Sequence, residues 1–125
     1  MKLGTLVNPN FQSAFRKLSG QELPLRAAFF IKGVSKQVQE EINKYDTSRM
    51  EALKRFGKTK EDGSLETDEK GNVSLSDENM KSFVSELQTL LDIEVPVSSI
   101  KIGDLGSKVQ LTPAEAAALE DLLVE

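Results

Sequence analysis

Two stretches of the chain carry residue types at spacings that chemistry uses. Ala52-Leu53-Lys54-Arg55-Phe56-Gly57-Lys58-Thr59 matches a phosphate-binding loop if alanine may stand for its first glycine. That chemistry needs a strand before the loop and a helix after it, so that backbone N–H groups and the helix end cradle phosphates. Here a helical pattern precedes and a polar turn follows. The string reads better as a helix C-terminus, with Lys54 and Arg55 at the negative end of the dipole and Gly57 as the stop. The second stretch, Glu66 to Asp77, has the length of a calcium loop, with Gly71 at the sixth place. Its fifth place is the cation Lys70, and its twelfth is Asp77 where a bidentate glutamate belongs. It reads as an acidic tip in solvent.

Other chemistries are thinner still. The carboxylate pairs Glu40/Glu41, Asp77/Glu78 and Glu120/Asp121 are adjacent in sequence, so on a helix they point in different directions. Asn72-Val73-Ser74 is a glycosylation sequon in form only, since no secretory leader is expected. The chain lacks Cys, His and Trp, which removes thiolate nucleophiles, imidazole bases, disulfides and Cys/His zinc sites. No serine has a partner that would activate it. The expectation is a protein that is not an enzyme and uses no cofactor or metal.

The elements that must position any working surface are read from periodicity. At 125 residues the chain is expected to form a single domain. Its longest apolar run, Ala27 to Ile31, is five residues, far short of the roughly 20 a membrane span needs. Asn8 and Pro9 start a helix that Gly20 stops, with Phe11, Ala14, Phe15 and Leu18 on one face. Leu25 to Phe56 is helical in pattern, through Ile31, Val34, Val38, Ile42 and Tyr45 and then Ala52, Leu53 and Phe56. Within it, the aromatic and β-branched cluster from Phe29 to Val34, with Gly33, could open as a strand instead. Residues 57–75 read as a polar hairpin or a flexible loop, with turn signals at Asp62-Gly63 and Lys70-Gly71-Asn72. Ser76 caps a helix bearing Met80, Phe83, Val84, Leu87, Leu90 and Leu91.

Ile93 to Ile102, broken by Pro96, and then Val109 with Leu111, read as short strands. Thr112-Pro113-Ala114-Glu115 is a capping box opening a last helix to about Val124. No internal repeat is found. The fold class expected is α+β: a long-helix hairpin with a small antiparallel β-sheet and short terminal helices. The hairpin should close through Val38, Ile42, Tyr45, Leu53 and Phe56 against Met80, Phe83, Val84, Leu87 and Leu91.

Charge is divided along the chain. Residues 1–60 carry a net +7 and residues 61–125 a net −11, against −4 overall. Packing of the halves neutralises much of this. What remains marks a candidate interaction surface: basic Arg26, Lys32, Lys36, Lys54 and Arg55, and acidic Asp62, Glu66, Asp68, Glu69, Glu120 and Asp121. Nucleic acid is not the expected partner, because the net charge is negative and no recognition helix or aromatic platform is present.

Several stretches carry a resemblance. They are Glu22-Leu23-Pro24-Leu25 before a long charged helix; Tyr45, Arg49, Leu53 and Arg55-Phe56-Gly57; Leu90 to Val95; Ile100 to Leu105; and Leu111-Thr112-Pro113. Together, over residues 18–125, the chain resembles a family of small uncharacterised proteins of tailed bacteriophages and prophages. The family supplies no catalytic residue to carry over. The resemblance implies a phage structural or assembly protein working through protein–protein contacts, with itself or another phage protein as partner. The second reading is a small accessory protein that binds and modulates a host protein. The implied place is the host cytoplasm, with incorporation in the virion for a structural role.

Overall fold

The computed structural model describes residues 1–125. Five α-helices follow in order: α1 (Leu3–Leu6), α2 (Pro9–Ser19), α3 (Leu25–Phe56), α4 (Asp77–Leu91) and α5 (Pro113–Ala118). Strand β1 (Ile100–Lys101) and a 3₁₀ turn (Ile102–Leu105) lie between α4 and α5, and β2 (Leu123–Val124) follows α5. The caps act as their sequences dictate. The Asn8 side chain accepts from the Asn10 amide at 2.8 Å, and Ser76 accepts from Asn79 at 3.1 Å. Thr112 and Glu115 close a reciprocal capping box.

The expected α+β class with an antiparallel sheet is wrong. About 58% of the residues are helical, and the one sheet is a two-residue parallel pair, Ile100 beside Leu123 and Lys101 beside Val124. The stretch after α4 makes a single antiparallel pairing with the N-terminus, Lys2 beside Glu94, and of the expected strand from Ile93 to Ile102 only β1 forms. Residues Val109 to Leu111 are irregular, because the Gln21 side chain takes both backbone groups of Gln110 at 2.6 Å. The last helix ends at Ala118. Leu119 and Leu122 are 0% and 1% exposed, and the chain turns after α5 to bury both before β2 forms.

The main core gathers 14 buried residues from α1, α2, the first half of α3 and the chain after α4. Phe11 and Phe15 stack within it, ring centroids 6.0 Å apart. A second, smaller core of Ala52, Leu53 and Phe83, with Phe56, Val73, Leu75 and Leu87 packed against it, lies at the far end of α3. The helical hairpin of α3 and α4 is present, but its seam is narrower than the apolar pattern predicts. Met80 and Val84 are 44% and 53% exposed and lie off it. Leu87 is only half-buried, so Leu87→Ala should lower unfolding stability by about 1–2 kcal/mol, less than a fully buried leucine loses. Chemical denaturation checks this.

Residues 57–75 are ordered by two small hairpins that repeat one another. Thr59, Glu61, Gly63 and Leu65 recur eight residues later as Thr67, Glu69, Gly71 and Val73, a repeat too short to stand out by eye. The backbone repeats with them. Lys60 donates to Ser64 O and Asp68 to Asn72 O, both at 2.8 Å, and Gly63 and Gly71 both turn at positive φ, 86° and 82°. Glu66 N donates to Lys58 O, Ser74 N to Glu66 O, and Lys58 N to Ser74 O, so three short segments close a triangle. Leu65 and Val73 point from equivalent places toward Gly57.

Candidate interaction surfaces

The structure scatters the charged residues singled out from sequence over three places. Arg26, Lys32 and Lys36 lie on the first half of α3, and Glu120 and Asp121 lie beyond α5. Lys54, Arg55, Asp62, Glu66, Asp68 and Glu69 gather at the far end of α3, about 40 Å from Phe29 at 1.5 Å per residue. Three of the six charges at that far end serve the chain itself. Arg55 pairs with Glu86 and lies over the Phe56 ring at 4.8 Å. The Asp62 carboxylate accepts from the Ser64 amide and hydroxyl, which lowers its pKa, and Asp68 accepts from the amides of Lys70 and Asn72. The amides of the Gly-Lys-Thr string are engaged too: Gly57 donates to Leu53 O and Lys58 to Ser74 O. A phosphate would find neither free.

The first half of α3 is different. Ala27, Ile31, Val34 and Val38 turn into the core at helical spacing. The opposite line of the helix is therefore Leu25, Phe29, Lys32 and Lys36. Leu25 is 87% exposed and Phe29 80%, with Phe30 half-exposed beside them. Arg26 and Lys101 line the hollow beside Phe29 together with the single acid Asp104, Lys32 and Lys36 follow along the helix, and none of the four cations enters an ion pair. Gly33 lies on the same side, and a Cβ there would meet nothing within 4 Å. This apolar ridge was missed from sequence, where only its cations were noted. The signal was available: once the inward stripe is fixed, Leu25 and Phe29 have no place inside.

The second surface is a shallow groove of about 780 Å³ between α2 and α5, with α1 at one end. Its floor is small, formed by Gly4, Ser13, Ala14, Ala114, Ala117 and Ala118. Its rim is acidic, with Glu115, Glu120 and Asp121. Glu115 fixes the walls to each other. Its carboxylate meets Lys17 of α2 at 2.7 Å and accepts from the Thr112 amide at 3.0 Å. The Lys17 ammonium first, and Thr112 second, hold its pKa down at about 2. Glu120 and Asp121 pair with no cation, and Asp121 has only a long hydrogen bond from the Thr5 hydroxyl at 3.4 Å.

Comparison with protein families, with curated proteins and with solved structures finds no match. The surfaces must therefore be read on their own chemistry. No group of three or more acidic side chains is close enough together to hold a metal ion, and no helix is long and apolar enough to cross a membrane.

The Glu115 geometry has a pH signature. A carboxyl whose folded-state pKa lies below its unfolded value contributes stability above the unfolded value, and that contribution is lost as pH falls to the folded one. The Lys17–Glu115–Thr112 link should therefore weaken from about pH 4.5 down to about pH 2. Thermal unfolding of the Glu115→Gln variant should show a flatter acid limb in that window than the unsubstituted protein.

Proposed function

We propose that the protein is a non-catalytic structural or assembly component of a tailed bacteriophage, acting through protein–protein contacts in the host cytoplasm or in the particle. The phage setting rests on the resemblance carried by residues 18–125. The mode of action is supported by one observation, the ridge at the start of α3. Leu25 and Phe29 stand in solvent on a rigid helix, directly opposite its buried stripe. An exposed apolar cluster rimmed by polar groups is the usual mark of a binding surface, and aromatic side chains with arginine beside them are the usual anchors.

The test is a photoreactive amino acid at position 29, expressed in cells producing the phage and followed by identification of what it captures. Capture of a phage structural protein or of this same chain, together with recovery of the chain in purified particles, is the expected result. Capture of a host protein alone, with the chain absent from particles, would replace this reading with a host-directed one. No capture at all would remove the ridge as a contact surface.

A further inference from the structure

We propose that the ridge of one copy docks in the groove between α2 and α5 of a second copy, so that the chain assembles head to tail. This rests on the protein-contact reading above and names its partner. Three features of the two surfaces support it. Their shapes are opposite: Leu25 and Phe29 protrude, while the groove is lined in part by small residues, glycine, serine and alanine, that leave about 780 Å³ for what enters. Their charges are opposite too. Arg26, Lys32 and Lys36 have no ion-pair partner within the chain, nor do Glu120 and Asp121. Finally, the two surfaces share no residue, so each copy can use both at once.

Ridge-to-ridge pairing about a two-fold axis would bring Arg26, Lys32 and Lys36 against their own kind, and like charges facing each other oppose association. A ridge-to-groove contact is heterologous, and such contacts close into rings or continue as an array. Gly33 fits the same picture. Glycine weakens a helix interior by about 1 kcal/mol relative to alanine, and nothing in this chain requires it there. A flat spot beside Phe29 lets the rim of a second copy come close to the α3 backbone.

The experiment uses two single variants of the full chain, each at an exposed position. Phe29→Ser removes the ridge anchor and leaves the groove intact. Ala117→Arg fills the groove with a cation and leaves the ridge intact. The unsubstituted protein should form oligomers in light scattering after size exclusion at about 100 µM, and these should shrink between about 50 mM and about 500 mM salt as the charges are screened. Each variant alone should weaken self-association at least tenfold and run as a monomer. Mixed in equal amounts, they should form a dimer and stop there, because only one intact ridge and one intact groove remain to meet. An Ala117→Arg protein that still self-associates as the unsubstituted chain does would overturn the proposal, as would a mixture that stays monomeric.

A monomeric unsubstituted protein would also overturn it. If Phe29 nonetheless crosslinks to a different phage protein, the protein-contact reading stands and only the second copy falls. If the monomer instead binds vesicles of anionic lipid, and Phe29→Ser abolishes that binding, the ridge belongs to a lipid surface and both readings fall.

Discussion

Phe11→Ala should lower the unfolding free energy by about 3–5 kcal/mol, the range for an aromatic side chain lost from a packed core. Phe11 is 1% exposed and stacks on Phe15 with the ring planes 4° apart. It belongs to the core that α1, α2 and α3 share with the chain after α4, and it also lines the groove between α2 and α5. Stability for a domain this size is about 5–15 kcal/mol, so the substitution removes a large share of it. Denaturant titration followed by far-ultraviolet circular dichroism reads the loss. A change below about 1 kcal/mol would mean that the groove collapses to fill the space, since such losses depend on how far a site can close.

Gly57→Ala should be the next most damaging, at about 2–3 kcal/mol, through overpacking. A Cβ at Gly57 would stand 2.6 Å from Leu53 O, 2.7 Å from Val73 Cγ1 and 2.9 Å from Leu65 Cδ2. Side chains can give way, but the helix carbonyl cannot. The damage should concentrate in the small core at the end of α3, because domains open in local units. Hydrogen exchange at the Lys58, Glu66 and Ser74 amides should therefore accelerate more than exchange in α2. Leu65→Ala added to Gly57→Ala should recover part of the loss, a coupling that independent sites would not show.

Gly57 also shows where sequence and structure part. Its position as the end of α3 is legible, since the apolar stripe stops at Phe56 and glycine follows. Why a glycine must stand there is not. Its φ is −70°, so no left-handed conformation is involved, and the glycine is needed because two side chains from the following segment press on it. The α2 boundaries and the Thr112 capping box are equally legible, because caps depend on residues a few places apart. The sheet is not. Ile100 and Leu123 are distant in sequence, and alternating apolar residues cannot say which segments pair or in which direction. Leu119 and Leu122 fit a helical stripe, yet the helix stops before them because the core they fill lies around a corner.

The surfaces follow the same division. Charge counting found Arg26, Lys32, Lys36, Glu120 and Asp121, which the fold places on two accessible faces. It also picked Arg55, Asp62 and Asp68, whose partners lie within the chain. Which charges are free depends on neighbours that only the folded chain brings together.

The triangle closed by Lys58, Glu66 and Ser74 has a bearing on the life of the protein in a crowded cell. Short β-segments at a protruding tip are natural templates for strand recruitment, and a row of unpaired amides invites fibre growth. Here the first segment is bonded to the last, so the ladder has no first or last member. At Lys58, Glu66 and Ser74 a neighbouring polypeptide meets backbone groups already spent on one another, with Glu61, Glu69 and Lys70 close by in the chain. The tip of the long helical hairpin thereby offers fewer free ladder groups to a passing strand than an open hairpin would.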